Sequence, residues 1–175
     1  MEGDLKSKVM AWLVDEGLEV RGMEVPAKAP VEWSLAATVR VPLQVNLVVQ
    51  KPSQADKLVV TMGVKLSPQH QASFNSLPEP ERADLRASLV EAMFHLCPHC
   101  IVIPQPPAPA ALEGLAVSWE VPLHSYHGGL EGPVRLELAR AVRVLANAYQ
   151  LLVERLNARL GAPRGGPGQV DTMHM

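Results

Sequence analysis

Apolar and polar positions alternate most cleanly between Lys57 and Leu66. Leu58, Val60, Met62, Val64 and Leu66 interleave with Val59, Thr61, Gly63 and Lys65, the period of two that predicts a strand with one core face. Ser67 and Pro68 follow directly. Serine supplies an N-cap oxygen, and proline suits the first helical position because the N–H it lacks is unsatisfied there anyway. Strands therefore precede this junction and helices follow it.

Upstream, Leu5, Val9, Trp12 and Leu13 form one stripe of a helix predicted over residues 3–16, which Gly17 ends. A weak strand interrupted by Gly22 is expected over 18–25. Trp33, Leu35, Ala37 and Val39 then face one way along a strand, the Val41-Pro42 step breaks the ladder, and Leu43, Val45, Leu47 and Val49 resume it. Residues 51–56 form a turn. Four consecutive strands with short links favour an antiparallel meander.

Downstream, the pattern predicts a short helix over 69–76 and a second helix with the stripe Leu85, Leu89, Ala92, Met93 and Leu96, stopped by Pro98. Residues 100–103 read as a short buried strand. Residues 104–113, with four prolines, read as a stiff loop, and Leu115, Val117, Trp119 and Val121 as the last alternating strand. After a loop at 124–129, a long helix runs from about Val134 to Leu160. Residues 161–175 carry no pattern and predict a disordered tail behind a single domain over 1–160. The fold class is α+β: an antiparallel sheet of five or six strands, with helices at the start, middle and end packed mainly on one face.

Composition narrows the function. An apolar fraction of 47% supports a core, and a net charge of −2 with scattered basic residues gives no field for nucleic acid or anionic lipid. No apolar run approaches the roughly 20 residues of a membrane span. The acidic start lacks a signal-peptide layout, which predicts a cytoplasmic protein. Sixteen prolines against two Phe and two Tyr hint at a heat-adapted source.

The loudest motif is Cys97-Pro-His-Cys100. It is similar to the active-site turn of thioredoxin-fold disulfide oxidants, where a helix N-terminus stabilises the thiolate. Here the motif follows a helix, so the dipole disfavours a thiolate. A structural turn with two half-buried thiols is the plainer expectation. A Cys97–Cys100 disulfide is geometrically feasible but runs against a reducing compartment, except in hyperthermophiles. The alternative is a zinc site that uses Cys97 and Cys100 with His95 and His99, or with His124 and His127. His70 and His127 are candidate bases of a hydrolase-like enzyme, but neither has a nucleophile or an orienting acid beside it in sequence. For His70, capping or packing on the sheet is the plainer role. No phosphate loop or cofactor fingerprint is present, so no cofactor is expected.

Two segments carry a resemblance: Trp12-Leu-Val-Asp-Glu-Gly17 at the first helix exit, and Leu66-Ser-Pro-Gln-His-Gln71 with the Asp84–Leu89 helix behind it. Together they resemble an uncharacterised, mainly archaeal family of domains of unknown function, over roughly residues 4–160. That element order looks like the fold of type III secretion chaperones, which bind extended segments of partners and are commonly dimers. The resemblance implies a non-enzymatic protein- or peptide-binding module, with a homodimer admitted. Trp33, Val45 and Leu47 on the sheet, and the exposed face of the helix over 134–160, are the candidate contact surfaces.

Overall fold

The structure, a computed structural model, describes residues 2–40 and 43–162. The expected break at Val41-Pro42, and the predicted tail from residue 163 onward, lie outside the described residues. The chain runs α1 (Glu2–Asp15), β1 (Glu19–Met23), β2 (Val31–Val39), β3 (Val45–Pro52), β4 (Lys57–Lys65), α2 (Pro68–Ser76), α3 (Glu79–Leu96), β5 (Ile101–Gln105), β6 (Gly114–Pro122), α4 (His124–His127) and α5 (Glu131–Leu160). This is an α+β fold with one six-stranded antiparallel sheet, ordered β1-β2-β3-β4-β6-β5, and helices at the start, middle and end of the chain. The chain divides into two compact units, residues 1–62 with 118–146 and residues 63–117 with 147 onward.

In the first unit the predicted meander forms. Leu35 pairs with Val49, Ala37 with Leu47, Val49 with Val60 and Leu47 with Met62 across β2, β3 and β4. These side chains are all fully buried, because a strand period of two delivers alternate residues to the same face. The α1 stripe of Leu5, Val9, Trp12 and Leu13 is buried, and α1 packs on β1 and β2. Gly17 ends α1 at φ +84°, a left-handed conformation that glycine adopts without steric cost. A pair of hydroxyls, Thr61 Oγ1 and Ser118 Oγ, meets at 2.9 Å, which satisfies a buried polar group on β4.

In the second unit Ser67 caps α2 as expected: the His70 backbone N–H donates to Ser67 Oγ at 3.2 Å, and Pro68 opens the helix. The α3 stripe holds for Leu85, Leu89, Ala92 and Met93, while Leu96, at the last residue of the helix, is exposed. One strand differs in kind. Residues 100–103 read as buried, yet Ile101 and Ile103 of β5 are exposed. The reason is topological: β6 takes the place beside β4, so β5 is left at the sheet margin, where less of its surface is covered. The stretch expected as loop after Pro122 also contains a turn of helix, α4.

Cys97 ends α3, its N–H donating to the Met93 carbonyl at 2.8 Å. It forms a disulfide with Cys100 across a Cα–Cα distance of 5.3 Å. The two residues are 1% and 6% exposed. The expectation of two half-buried thiols is therefore corrected: the pair is bonded and buried. The physical reason is the tight turn after Pro98, in which the Cys100 N–H donates to the Cys97 carbonyl at 3.1 Å and brings the two Cβ atoms together.

Two stability outcomes follow. Ser67→Ala removes the acceptor at the α2 N-cap and should lower unfolding free energy by about 1 kcal/mol in a urea titration, whereas Ser67→Asp should keep most of it. The Cys97→Ala, Cys100→Ala double variant loses a cross-link around a short loop and should cost about 2 kcal/mol. Thiol titration of the unreduced, denatured wild type should find no free thiol.

Candidate functional site

The sheet residues expected to meet a peptide are inside the molecule. Trp33, Val45 and Leu47 are 6%, 2% and 1% exposed. Their face of the meander is the core face, a choice the alternation alone leaves open.

The cysteine and histidine candidates do not converge on a metal. Cys97 and Cys100 are joined to each other, so in this state neither sulfur is a thiolate ligand. His95 is exposed and lies 3.6 Å from Glu91, one helical turn away. His99 and His124 are exposed. No group of three or more metal-ligating side chains occurs among the described residues. His70 is buried, and its ring Nε2 lies 3.0 Å from the Gly161 carbonyl oxygen. Its partner is a backbone carbonyl rather than a carboxylate, an arrangement suited to tying α2 to the end of α5 within the second unit.

His127 is placed differently. Its Nε2 lies 2.7 Å from Asp56 Oδ1. The contact joins α4 to the turn between β3 and β4, where the Leu123 N–H also donates to the Asp56 carbonyl at 3.0 Å. The pair borders a cavity of about 620 Å³ in the first unit. Leu5 of α1, Trp33 of β2 and Tyr126 of α4 supply its apolar walls. Asp4, Glu32 and Asp56 supply three carboxylates, and Lys51 one ammonium.

Each charged group in this wall has a partner. Lys51 is deeply set: its Nζ lies 3.1 Å from Glu32 Oε1 and donates to the carbonyls of Ala55 at 2.7 Å and Pro52 at 3.2 Å. These bonds pin the turn that carries Asp56, in which Gln54 adopts φ +60°. Asp4 lies 3.1 Å from Lys8 Nζ and accepts from the Tyr126 hydroxyl at 3.4 Å. The Lys8 ammonium also sits 5.4 Å over the Tyr126 ring. Hydrogen bonds to Glu131 and then to Asp4 push the Lys8 pKa up, so the ammonium stays charged. The Trp33 indole N–H is buried and meets no acceptor among the described residues.

Two other surfaces stand out. On α5, Leu136 is exposed beside a groove of about 470 Å³ edged by Arg135, Arg140 and Arg143. Each arginine is held within the chain, by Asp15, Glu137 and Glu16 respectively. This is the helix face singled out from the sequence. The second surface is the β5 margin. Of the seven large apolar residues exposed among the described residues, two lie on β5, Ile101 and Ile103, at 47% and 49%, and two on the last turn of α3, which packs against β5, Phe94 and Leu96, at 50% and 37%.

Sequence reasoning missed Asp56 as the partner of His127, because the two are far apart in the chain and only tertiary structure pairs them. It missed the β5 margin because an apolar strand looks the same in the middle of a sheet and at its edge.

A crystal structure of an uncharacterized protein from Methanothermobacter thermautotrophicus is similar to this chain in fold, with a TM-score of 0.71 over 89% of this chain and 99% of that one, at 17% identity. No curated protein matches the chain. The profile of an uncharacterized conserved protein family, DUF2299, matches residues 5–156, and the chain belongs to that family.

Proposed function

We propose that this protein is a non-enzymatic binding module that takes up an extended, apolar segment of a partner protein along the β5 margin of its sheet. The observation that carries this reading is the concentration of exposed apolar side chains at Phe94, Leu96, Ile101 and Ile103. Four such side chains within ten residues, on a helix end and the strand packed against it, supply apolar surface that a partner can cover.

The two ends of the sheet are built differently. The β1 end carries Glu19 and Arg21, and Arg40 pairs with Glu19 at 2.8 Å. Charges of that kind discourage strand pairing. The β5 end presents isoleucines at alternate positions of one strand. An extended segment added there gains backbone hydrogen bonds and sets its own alternate side chains against Ile101 and Ile103. Pro104 has no N–H to contribute, so pairing is confined to the first three residues of β5 and apolar contact dominates. The buried disulfide holds the turn that leads into β5, which reduces the ordering needed on binding.

The element order similar to that of secretion chaperones, which hold extended segments and are commonly dimers, supports the same reading by analogy of fold. A cytoplasmic setting belongs to this proposal. No helix among the described residues is long and apolar enough to cross a membrane, and a shielded disulfide is best tolerated there in a heat-adapted cell. Thiol exchange or zinc binding at Cys97 and Cys100 is less well supported, since burial at 1% and 6% keeps an attacking thiolate away from either sulfur.

The test compares wild type with an Ile101→Glu, Ile103→Glu variant. Both positions are exposed, so far-UV dichroism and the melting temperature should change little. A protein recovered stoichiometrically with tagged wild type should fall at least about tenfold with the variant, the scale expected when apolar contacts are replaced by charge. Light scattering on the pure protein separates the alternative occupant: a wild-type dimer that the variant splits makes this margin a self-association surface. A partner held equally by both versions places the interface elsewhere.

A further inference from the structure

We infer that the β5 margin selects an acidic segment: Arg82 and Arg86 of α3 take a glutamate or aspartate side chain that precedes the aliphatic residues of the partner strand. This inference deepens the β5 reading and rests on it.

The two arginines stand out because no carboxylate of the chain neutralises them. They lie one turn apart on α3, so two like charges share a face. Both are half-buried, where a charge is screened less than at an open surface. Among the described residues, neither forms an ion pair with a carboxylate. Nearby, Asp84 pairs with Arg159 at 3.9 Å and Glu91 with His95 at 3.6 Å. Glu79 and Glu81 of the first turn, and Glu113 across the loop, form no ion pair with either arginine. Arg135, Arg140 and Arg143 of α5, by contrast, are each held by a carboxylate.

Position ties the arginines to the strand. Arg86 Nη2 donates to the Pro107 carbonyl at 3.1 Å in an exposed setting, and Pro107 lies just beyond the end of β5. That bond uses one of five donors, and the Nε–H is covered by protein, which leaves the Nη edge to a ligand. Helix α3 packs on β5 and meets it through the chain reversal at the disulfide. From Leu96 back to Arg86 the helix rises about 15 Å, and the five residues of β5 cover about 16 Å. The margin is therefore graded, with Phe94, Leu96 and Ile101 at one end, Ile103 between, and the guanidiniums at the other.

Charge complementarity names the partner's chemistry. A carboxylate matches a guanidinium in charge and in its forked geometry. The chain's net charge of −2 does not attract an acidic peptide at long range, so a preference for one has to arise locally. Added antiparallel to β5, as the strands of this sheet pair, a segment meets the arginine end with its N-terminal part. Ile103 to Pro107 spans about 13 Å, so the acidic side chain precedes the first aliphatic residue by about four positions.

The experiment uses three end-capped peptides, which carry no terminal charge: Ac-Ser-Glu-Glu-Ser-Gly-Val-Thr-Val-Thr-NH2, and versions with Gln-Gln or Lys-Lys in place of Glu-Glu. Each is titrated to about 2 mM into ¹⁵N-labelled full-length protein at low salt, and the amide signals of Ile101 and Ile103 are read. The Glu-Glu peptide should shift them saturably and bind about tenfold tighter than the Gln-Gln peptide, with Lys-Lys weakest. The Arg82→Gln, Arg86→Gln double variant should bring the Glu-Glu peptide down to the affinity of the Gln-Gln peptide. Its unchanged affinity for the Gln-Gln peptide shows that the margin is still folded. Equal binding of the Glu-Glu and Gln-Gln peptides to wild type overturns the acidic assignment and leaves the β5 reading standing. An acidic preference that survives in the double variant overturns the roles of Arg82 and Arg86. Signals of Ile101 and Ile103 unmoved by all three peptides remove the β5 reading, and this inference with it.

Discussion

The rest of the structure depends on the period-two burial of β4. Leu58, Val60, Met62, Val64 and Leu66 are each 2% exposed or less, and Val60 and Met62 fix the register of β3 through Val49 and Leu47. A slip of one residue would turn this whole set to the other face. That penalty locks β4, and β4 in turn locks the β2 and β3 columns. Within the second unit, the chain leaving β4 passes through Leu66 to the Ser67 cap of α2, and His70 Nε2 lies 3.0 Å from the Gly161 carbonyl oxygen.

The two margins of the sheet express the cost of having edges at all. At one end, β1 is short and charged, which suits an edge that is to stay unpaired. At the other, β5 is equally short but apolar on its exposed positions, and it follows a helix end that exposes Phe94 and Leu96 as well. The disulfide sits inside this region rather than on it, so its contribution is to hold the chain reversal between α3 and β5. It is a structural brace, and its neighbours His95 and His99 are exposed, His95 lying 3.6 Å from Glu91.

The cavity around Asp56 shows how a site forms from parts with local structural roles. Lys51 closes the β3–β4 turn, Leu123 hydrogen-bonds back to that turn, and Tyr126 leans on Asp4. Each contact stabilises its own junction. Together they leave a concave wall that combines an aromatic ring, an aliphatic side chain and the paired Asp56 and His127.

The elements with strong local signals were legible from the chain alone. The alternation in β2, β3 and β4, the α1 and α3 stripes, the Ser67-Pro68 cap and the Gly17 stop all rest on interactions within a few residues, so periodicity and side-chain chemistry determined them. Tertiary structure decided the rest. Whether Trp33, Val45 and Leu47 faced core or solvent depended on where α1 and the sheet met, since alternation names two faces without labelling them. Whether Ile101 and Ile103 were buried depended on β6 taking the position next to β4. The pairing of His127 with Asp56 depended on a turn and a short helix brought together from distant parts of the chain. Local patterns fix what each segment is; only long-range packing fixes which of its faces meets water.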